Sequence, residues 1–212
     1  SQAQAKYSNM IVTSSTPYLW INAAEVAFLK AEYELRWGTK DAAKALYEQA
    51  IRLSFEDKGA KDADAYIADK TRKPAAYNDP LGNYSATALS SITIAWEDDS
   101  AEGADKAAIK ERNLERIITQ KWIAIFPLGV EAWSEHRRTG YPRLLPAVED
   151  KSGGTVDLAQ GARRLPYPVE EYDKNNANLQ DAVQMLNSES QGSRKGDGMG
   201  TRVWWDVKPY NN

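Results

Sequence analysis

From Ile21 the apolar residues of the chain return at Ala24, Phe28, Ala31 and Leu35, in steps of three and four that define one face of a helix. Gly38 follows the last of them, in the place of a left-handed C-terminal residue. Asp41 then stands where it can cap a second helix, whose inward face is Ala43, Leu46, Tyr47, Ala50 and Leu53. A turn this short makes the two helices antiparallel neighbours.

A third helix is predicted over residues 104–126, with Ala107, Leu114, Ile117, Ile118, Trp122 and Ile125 on one stripe and Pro127 as its stop. "LGVEAWSEHRRTG" follows as a fourth, ended by Gly140 and barred from continuing by Pro142. Together they form a second helix-turn-helix unit. Between the two units the pattern weakens. A short helix fits residues 62–70, and "KPAAYNDPLGNYSATALSSITIAWEDDSAEG" is rich in turn formers, so it is the expected exposed loop region. Within it, "SITIAW" is compatible with a short strand or with an irregular segment.

Beyond Tyr141 the chain turns loop-rich around one further helix, residues 176–186, with Leu179, Ala182, Val183 and Leu186 inward. "TRVWWDVKPY" reads as extended, which would send Trp204 and Trp205 to opposite sides, one into the core and one toward a partner surface. Relative to Gly38, the small Ala43 and Ala50 and the large Tyr47 fall where a tetratricopeptide hairpin places its close-contact alanines and its aromatic. One clear unit is visible, and a solenoid needs several to bury its faces.

Composition narrows the function classes. The 212 residues suffice for one good-sized domain or two small ones, and the net charge of −3 gives no electrostatic case for nucleic acid. No apolar run approaches the ~20 residues of a membrane-spanning helix, and no stretch has the form of a signal peptide. Zero cysteines exclude disulfides, thiol catalysis and cysteine-ligated metals, and one histidine excludes a multi-histidine metal site. Seven Trp and eleven Tyr against three Phe are the unusual feature, because rings with a flat apolar face and a polar tip suit sugars and interfaces as well as cores.

His136, with Glu135, Arg137 and Arg138 around it, reads as a helix terminus. Its arginines lie in the last turn, where positive charge complements the helix dipole, and Glu135 reaches Arg138 at i+3. "WEDDSAE" puts carboxylates beside an aromatic, as a sugar-cleaving site might, but reads first as a solvated acidic loop, with a calcium site at Asp98 and Asp99 a minor option. "GDGMG" lacks the lysine-serine ending of a phosphate loop and reads as a turn. The sequon Asn83-Tyr84-Ser85 carries no weight. No catalytic, metal or cofactor residue is assigned. The candidate ligand-binding residues are Trp96, Tyr84, Tyr77, Asn83 and Asp98, which bring stacking faces, an amide and a carboxylate together in the least regular segment.

Three ordered stretches, "RIITQKWIAIFPLGVEAWSEHRRTGYPRL", "RRLPYPVEEYDKNNAN" and "TRVWWD", resemble the C-terminal half of the SusD/RagB-like outer-membrane nutrient-binding lipoproteins. "PYLWINAAEVAFLKAEYELRWG" resembles the scaffold helix of the same family. The resemblance implies a mainly α fold, an α-α superhelix of tetratricopeptide-like hairpins with a loop-rich C-terminal subdomain. Across residues 1–212 that gives a hairpin at about 17–54, a loop-rich insertion at about 56–103, a second helical pair at about 104–140 and a loop-rich part at 141–212. It further implies a cell-surface, cofactor-free protein that binds oligosaccharides and delivers them to a TonB-dependent, SusC-like transporter in the outer membrane. Family members are longer, and they carry a signal peptide and a lipid-anchoring cysteine that this chain lacks. It therefore looks like a C-terminal portion, held at the membrane only through an anchor outside it. A peptide-binding member of the family, a helical-repeat interaction scaffold and a glycosidase are the rival readings. The motifs are scaffold motifs, so the candidate binding residues rest on loop position and chemistry alone.

Overall fold

The computed structural model describes residues 7–10, 12–190 and 195–208. It is mainly helical and divides into two compact units, residues 1–133 and 134–212.

The first unit is built on α1 (Ala23–Trp37) and α2 (Lys40–Asp57), an antiparallel pair with α4 (Lys106–Ala124) packed against α1 and, less extensively, α2. Ala24, Phe28, Ala31 and Leu35 are buried as the spacing predicts, opposite Ala43, Tyr47, Ala50 and Ile51. Ala31, Ala43 and Ala50 have no exposed surface, so the helices meet at side chains one carbon long, and the Tyr47 ring fills the space beside them against Phe28. Ile21 lies outside this face, 59% exposed, because Asn22 caps α1 and the helix starts only after it.

Two of the expected helix ends work differently. Thr39, not Asp41, caps α2, with its hydroxyl accepting from the Ala42 N–H. Gly38 has φ −106°, outside the left-handed region. Its lack of a side chain serves close approach instead: a Cβ there would sit 1.7 Å from Glu34 Oε2, the oxygen that accepts the Thr39 N–H.

The third helix keeps Leu114, Ile117, Ile118 and Ile125 inward but turns Ala107 and Trp122 out. Lys121 goes in with them, 1% exposed, its Nζ 3.2 Å from Glu131 and 3.6 Å from Glu25. Apolar spacing alone cannot reveal a lysine that buries its stem and finds carboxylates at its tip.

Between α2 and α4 lie the short α3 (Ala63–Ile67) and a minimal hairpin of β1 (Tyr77–Asn78) with β2 (Ser85–Ala86). "SITIAW" is irregular, and the reason is visible in where its backbone groups go. Ile94 O accepts from the Tyr47 hydroxyl at 2.7 Å, and Thr93 O accepts from Arg116 Nε at 3.0 Å. Asn113 pairs with both backbone groups of Glu97, accepting its N–H and donating to its carbonyl. Side chains of α2 and α4 thus satisfy the backbone that a strand neighbour would otherwise satisfy.

The division between the units falls within α5 (Gly129–Thr139), which Gly140 ends with φ 76°. The second unit adds α6 (Val169–Lys174) and α7 (Asn176–Glu189), on which Leu179 is buried while Ala182, Val183 and Leu186 are half-buried. The short α6 was hidden in a stretch read as loop, although Pro168 before it and Glu170 and Glu171 in its first turn are ordinary helix-start residues. Residues 201–208 turn at Trp204 and Trp205 and are not extended; Trp204 is 68% exposed and Trp205 half-buried beneath the Arg137 guanidinium, 4.9 Å from its ring centroid. Pro209 and Tyr210, read above as part of that stretch, and residues 192–194 lie outside the described residues.

Long loops of this unit converge on one buried ion pair. Arg163 and Asp206, 43 positions apart and almost wholly buried, meet with Arg163 Nε donating to Asp206 Oδ2 at 2.6 Å. Arg163 also donates to Arg137 O at 3.1 Å, Arg137 donates back to Arg163 O at 2.7 Å, and Arg202 donates to Lys208 O at 2.7 Å. Removing one partner of such a pair strands the other charge. Asp206→Asn should cost about 3–5 kcal/mol in urea unfolding, while pairing Arg163→Met with Asp206→Leu should recover part of that loss. Equal losses in the two variants would contradict a mutual charge requirement.

Candidate functional site

The five candidate residues fall into two groups in the first unit. Tyr77, Asn83 and Tyr84 belong to the β1–β2 hairpin, and Trp96 and Asp98 line a cleft beside the α1–α2 turn to which the hairpin contributes no residue.

In the hairpin the Tyr77 and Tyr84 rings lie 6.0 Å apart, tilted by 43°, with Tyr77 and Asn83 exposed and Tyr84 half-buried. Asp79 organises the tip. Its carbonyl accepts from the Gly82 N–H at 2.8 Å, its carboxylate accepts from the Asn83 N–H at 3.1 Å, and the same carboxylate accepts from the Tyr7 hydroxyl at 2.5 Å. That last bond raises the Tyr7 phenol to about 12 and lowers Asp79 below the ordinary carboxylate range. Asp79 thus fixes the tip's backbone, and its place four residues before Asn83 in a Pro-Gly turn is the sequence signal for that role.

The cleft encloses about 290 Å³ and is lined by Trp96, Asp98, Asp99, Lys40, Lys44 and Asn113 among others. Trp96 is half-buried, one ring contact being Tyr47 at 5.6 Å between centroids, so it belongs partly to the core of the helix pair. Asp98 is exposed and accepts from the Ser100 N–H at 2.8 Å. The Ser100 side chain chiefly, then this N–H and the nearby Lys40 and Lys44, lower its pKa, so it stays an acceptor-only carboxylate. Asp99 forms an ion pair with Lys40, whose pKa is raised by that contact. Glu97 points its carboxylate at Arg112 and Arg116, the Arg112 hydrogen bond chiefly holding it below its usual pKa. The residues that hold Trp96 in place, Asn113 and Arg116, escaped notice in the sequence because buried polar residues on a helix carry no periodic signature.

A second depression, of about 560 Å³, lies at the α4–α5 turn, where Trp122, Ile123, Phe126, Pro127 and Leu128 line it with few polar groups. It offers few directed hydrogen-bonding groups, whereas charged and amide side chains line the Trp96 cleft.

His136 is structural in its surroundings. It is buried, and its Nδ1 lies 3.0 Å from Pro142 O. Thr139 donates to Glu135 O at 2.7 Å, and Arg138 Nε donates to the Glu135 carboxylate at 3.0 Å, the i+3 pairing that helix geometry implies. Burial first, and the Arg163 charge second, push the imidazole below its ordinary pKa.

A small-residue helix pair flanked by an aromatic-walled, charge-rimmed cleft defines a scaffold of the helical-hairpin type. The chain belongs to the SusD-like family: the pattern of the SusD and RagB outer membrane lipoproteins matches residues 1–206. Among solved structures it is similar to a SusD homologue from Bacteroides thetaiotaomicron, with 49% identity and a TM-score of 0.85 over 96% of this chain and 41% of that one. A SusD homologue from Bacteroides uniformis shares 51% identity at a TM-score of 0.80, over 95% of this chain and 40% of that one. A chitin-binding SusD homologue from Flavobacterium johnsoniae shares 42% at 0.74, over 91% and 37%. The chain thus spans about two-fifths of the length of these relatives. No curated protein matches it by sequence.

The depressed imidazole pKa carries a pH signature. Above about pH 6.5 His136 is neutral in folded and unfolded chains alike; below it the unfolded chain takes up a proton that the folded chain resists, so stability falls as pH drops. Urea unfolding between about pH 7.5 and about pH 5.5 should show this loss, and His136→Gln should flatten it. An unchanged slope in the variant would contradict the assignment.

Proposed function

We propose that this protein is a nutrient-binding component of the outer membrane's outer face, which captures oligosaccharides and hands them to a TonB-dependent, SusC-like transporter without chemical change. The observation that carries the reading is membership of the SusD-like family, with a chitin-binding homologue matching 91% of this chain. The Trp96 cleft is the proposed ligand seat. A half-exposed indole offers a sugar ring an apolar face, the ionised Asp98 accepts from its hydroxyls, and Lys44 donates at the rim. The Tyr77–Tyr84 hairpin, with Asn83 at its tip, is proposed as a second stacking surface. Nothing in this mechanism needs a cofactor. Capture followed by transfer favours modest affinity, because a ligand held too tightly is not released.

Trp96→Ala is a poor test on its own, since the indole also packs on Tyr47. Asp98→Ala and Tyr77→Ala remove exposed groups and should leave unfolding unchanged. In calorimetric titrations with chitin oligosaccharides and a panel of plant and host glycans, Asp98→Ala should weaken the best ligand about tenfold, the loss of one charge-assisted hydrogen bond. Binding of a peptide pool with no glycan binding would replace the oligosaccharide reading with the peptide reading, and release of shorter sugars during the titration would sink the non-catalytic one.

A further inference from the structure

Helices α2 and α4 begin alike, and both beginnings line one cleft. Lys40 and Lys44 are the first and fifth residues of α2, Lys106 and Lys110 the first and fifth of α4, and all four line the Trp96 cleft. Each pair is spaced i, i+4, which sets two like charges side by side on one helix, where they repel. Each pair also stands at a helix N-terminus, the end whose dipole disfavours a cation. The helix ends themselves are satisfied by their own caps: Thr39 accepts from the Ala42 N–H and Asp105 from the Ala108 N–H. The placement of the lysines thus works against both helices, and a local rule broken twice at one cleft points to a use beyond folding.

The carboxylates of the cleft do not balance these charges. Asp99 pairs with Lys40, and Glu97 with Arg112 and Arg116, which lie outside the lining. Arg36 pairs with Glu32, likewise outside it. Lys44, Lys106 and Lys110 are exposed and form no ion pair among the described residues; Lys110 Nζ donates to the Arg36 carbonyl at 3.3 Å. Against these three ammonium groups stand Asp41 and Asp98, so the cleft keeps a positive surplus in a chain whose net charge is −3. An uncharged sugar stacked on Trp96 would leave that surplus unanswered. An ammonium is a compact point charge without the planar fork of a guanidinium, so it receives a carboxylate or a sulfate ester alike.

We propose that the Trp96 cleft selects acidic oligosaccharides, with Lys106 and Lys110 receiving a carboxylate or sulfate group on a sugar whose ring stacks on Trp96. The proposal rests on the reading of this cleft as the ligand seat and adds to it the class of sugar. Trp96 and Asp98 serve any sugar, by stacking and by accepting from hydroxyls, and the lysines supply the preference for charge.

Acidic oligosaccharides are titrated calorimetrically beside neutral counterparts of the same skeleton: uronate chains beside their carboxyl-reduced forms, and sulfated chains beside desulfated ones. At least one acidic member should bind about tenfold more tightly than its counterpart at about 20 mM salt, and the gap should close toward about 500 mM as the charges are screened. Which pair of ligands shows the gap tells a carboxylate from a sulfate. Lys106→Gln combined with Lys110→Gln changes exposed groups only, so it should remove most of the gap without lowering stability in urea. Lys30→Gln combined with Lys61→Gln makes the same charge change away from the cleft and should keep the gap. Acidic members binding no tighter than neutral ones overturn the proposal and leave the cleft a seat for neutral sugars. A gap that survives loss of Lys106 and Lys110 overturns it as well. If no oligosaccharide of either kind binds, the glycan reading itself fails, and the proposal falls with it.

Discussion

The Arg163–Asp206 pair is the constraint on which the second unit depends. That unit has the short α6, α7 and the end of α5 to order some eighty residues, and most of its described residues are loop. A loop leaves backbone donors and acceptors that need partners. Here Arg163, 1% exposed, supplies some of them: its guanidinium pairs with Asp206 and donates to the Arg137 carbonyl, while its own backbone carbonyl accepts from the Arg137 side chain. Each of the three stretches that resemble the SusD/RagB lipoproteins contributes one of these residues: Arg137, Arg163 and Asp206. All three stretches thus meet in one buried network, which gives each of them a part in packing this unit.

The first unit solves its packing differently. Alanines at the α1–α2 contact bring two backbones close, and Tyr47 spans from that contact to the irregular segment that carries Trp96. Asn113 and Arg116 of α4 hold the same segment from the other side. Trp96 therefore stands at the rim of the cleft on a backbone that has no strand neighbour and yet is fixed at several points. Such a mounting suits ligand capture, because a stacking surface held in place loses little entropy when a ligand arrives.

Much of this was legible beforehand, and the failures have physical causes. Helix positions followed from apolar spacing, and Gly140 with Pro142 marked the end of α5 correctly, because a left-handed glycine and a proline act locally. Gly38 looked the same in sequence but serves a close approach of the Glu34 carboxylate, which depends on a side-chain conformation. Lys121 and Trp122 exchanged their expected places because two glutamates, one of them ninety-six positions distant, make burial of the ammonium tolerable. The candidate binding residues came from one loop, yet tertiary structure sorts them between a hairpin and a cleft, a division that no local pattern encodes. The loop-bound second unit was least legible, since an ion pair between positions 163 and 206 has no local pattern.

The central claim is that the Trp96 cleft receives a sugar. A crystal structure of the protein with the tightest-binding oligosaccharide tests it most directly. The account predicts a sugar ring against the Trp96 indole, with a hydroxyl within hydrogen-bonding distance of the Asp98 carboxylate. A ligand bound elsewhere, with the cleft filled only by solvent, would contradict it.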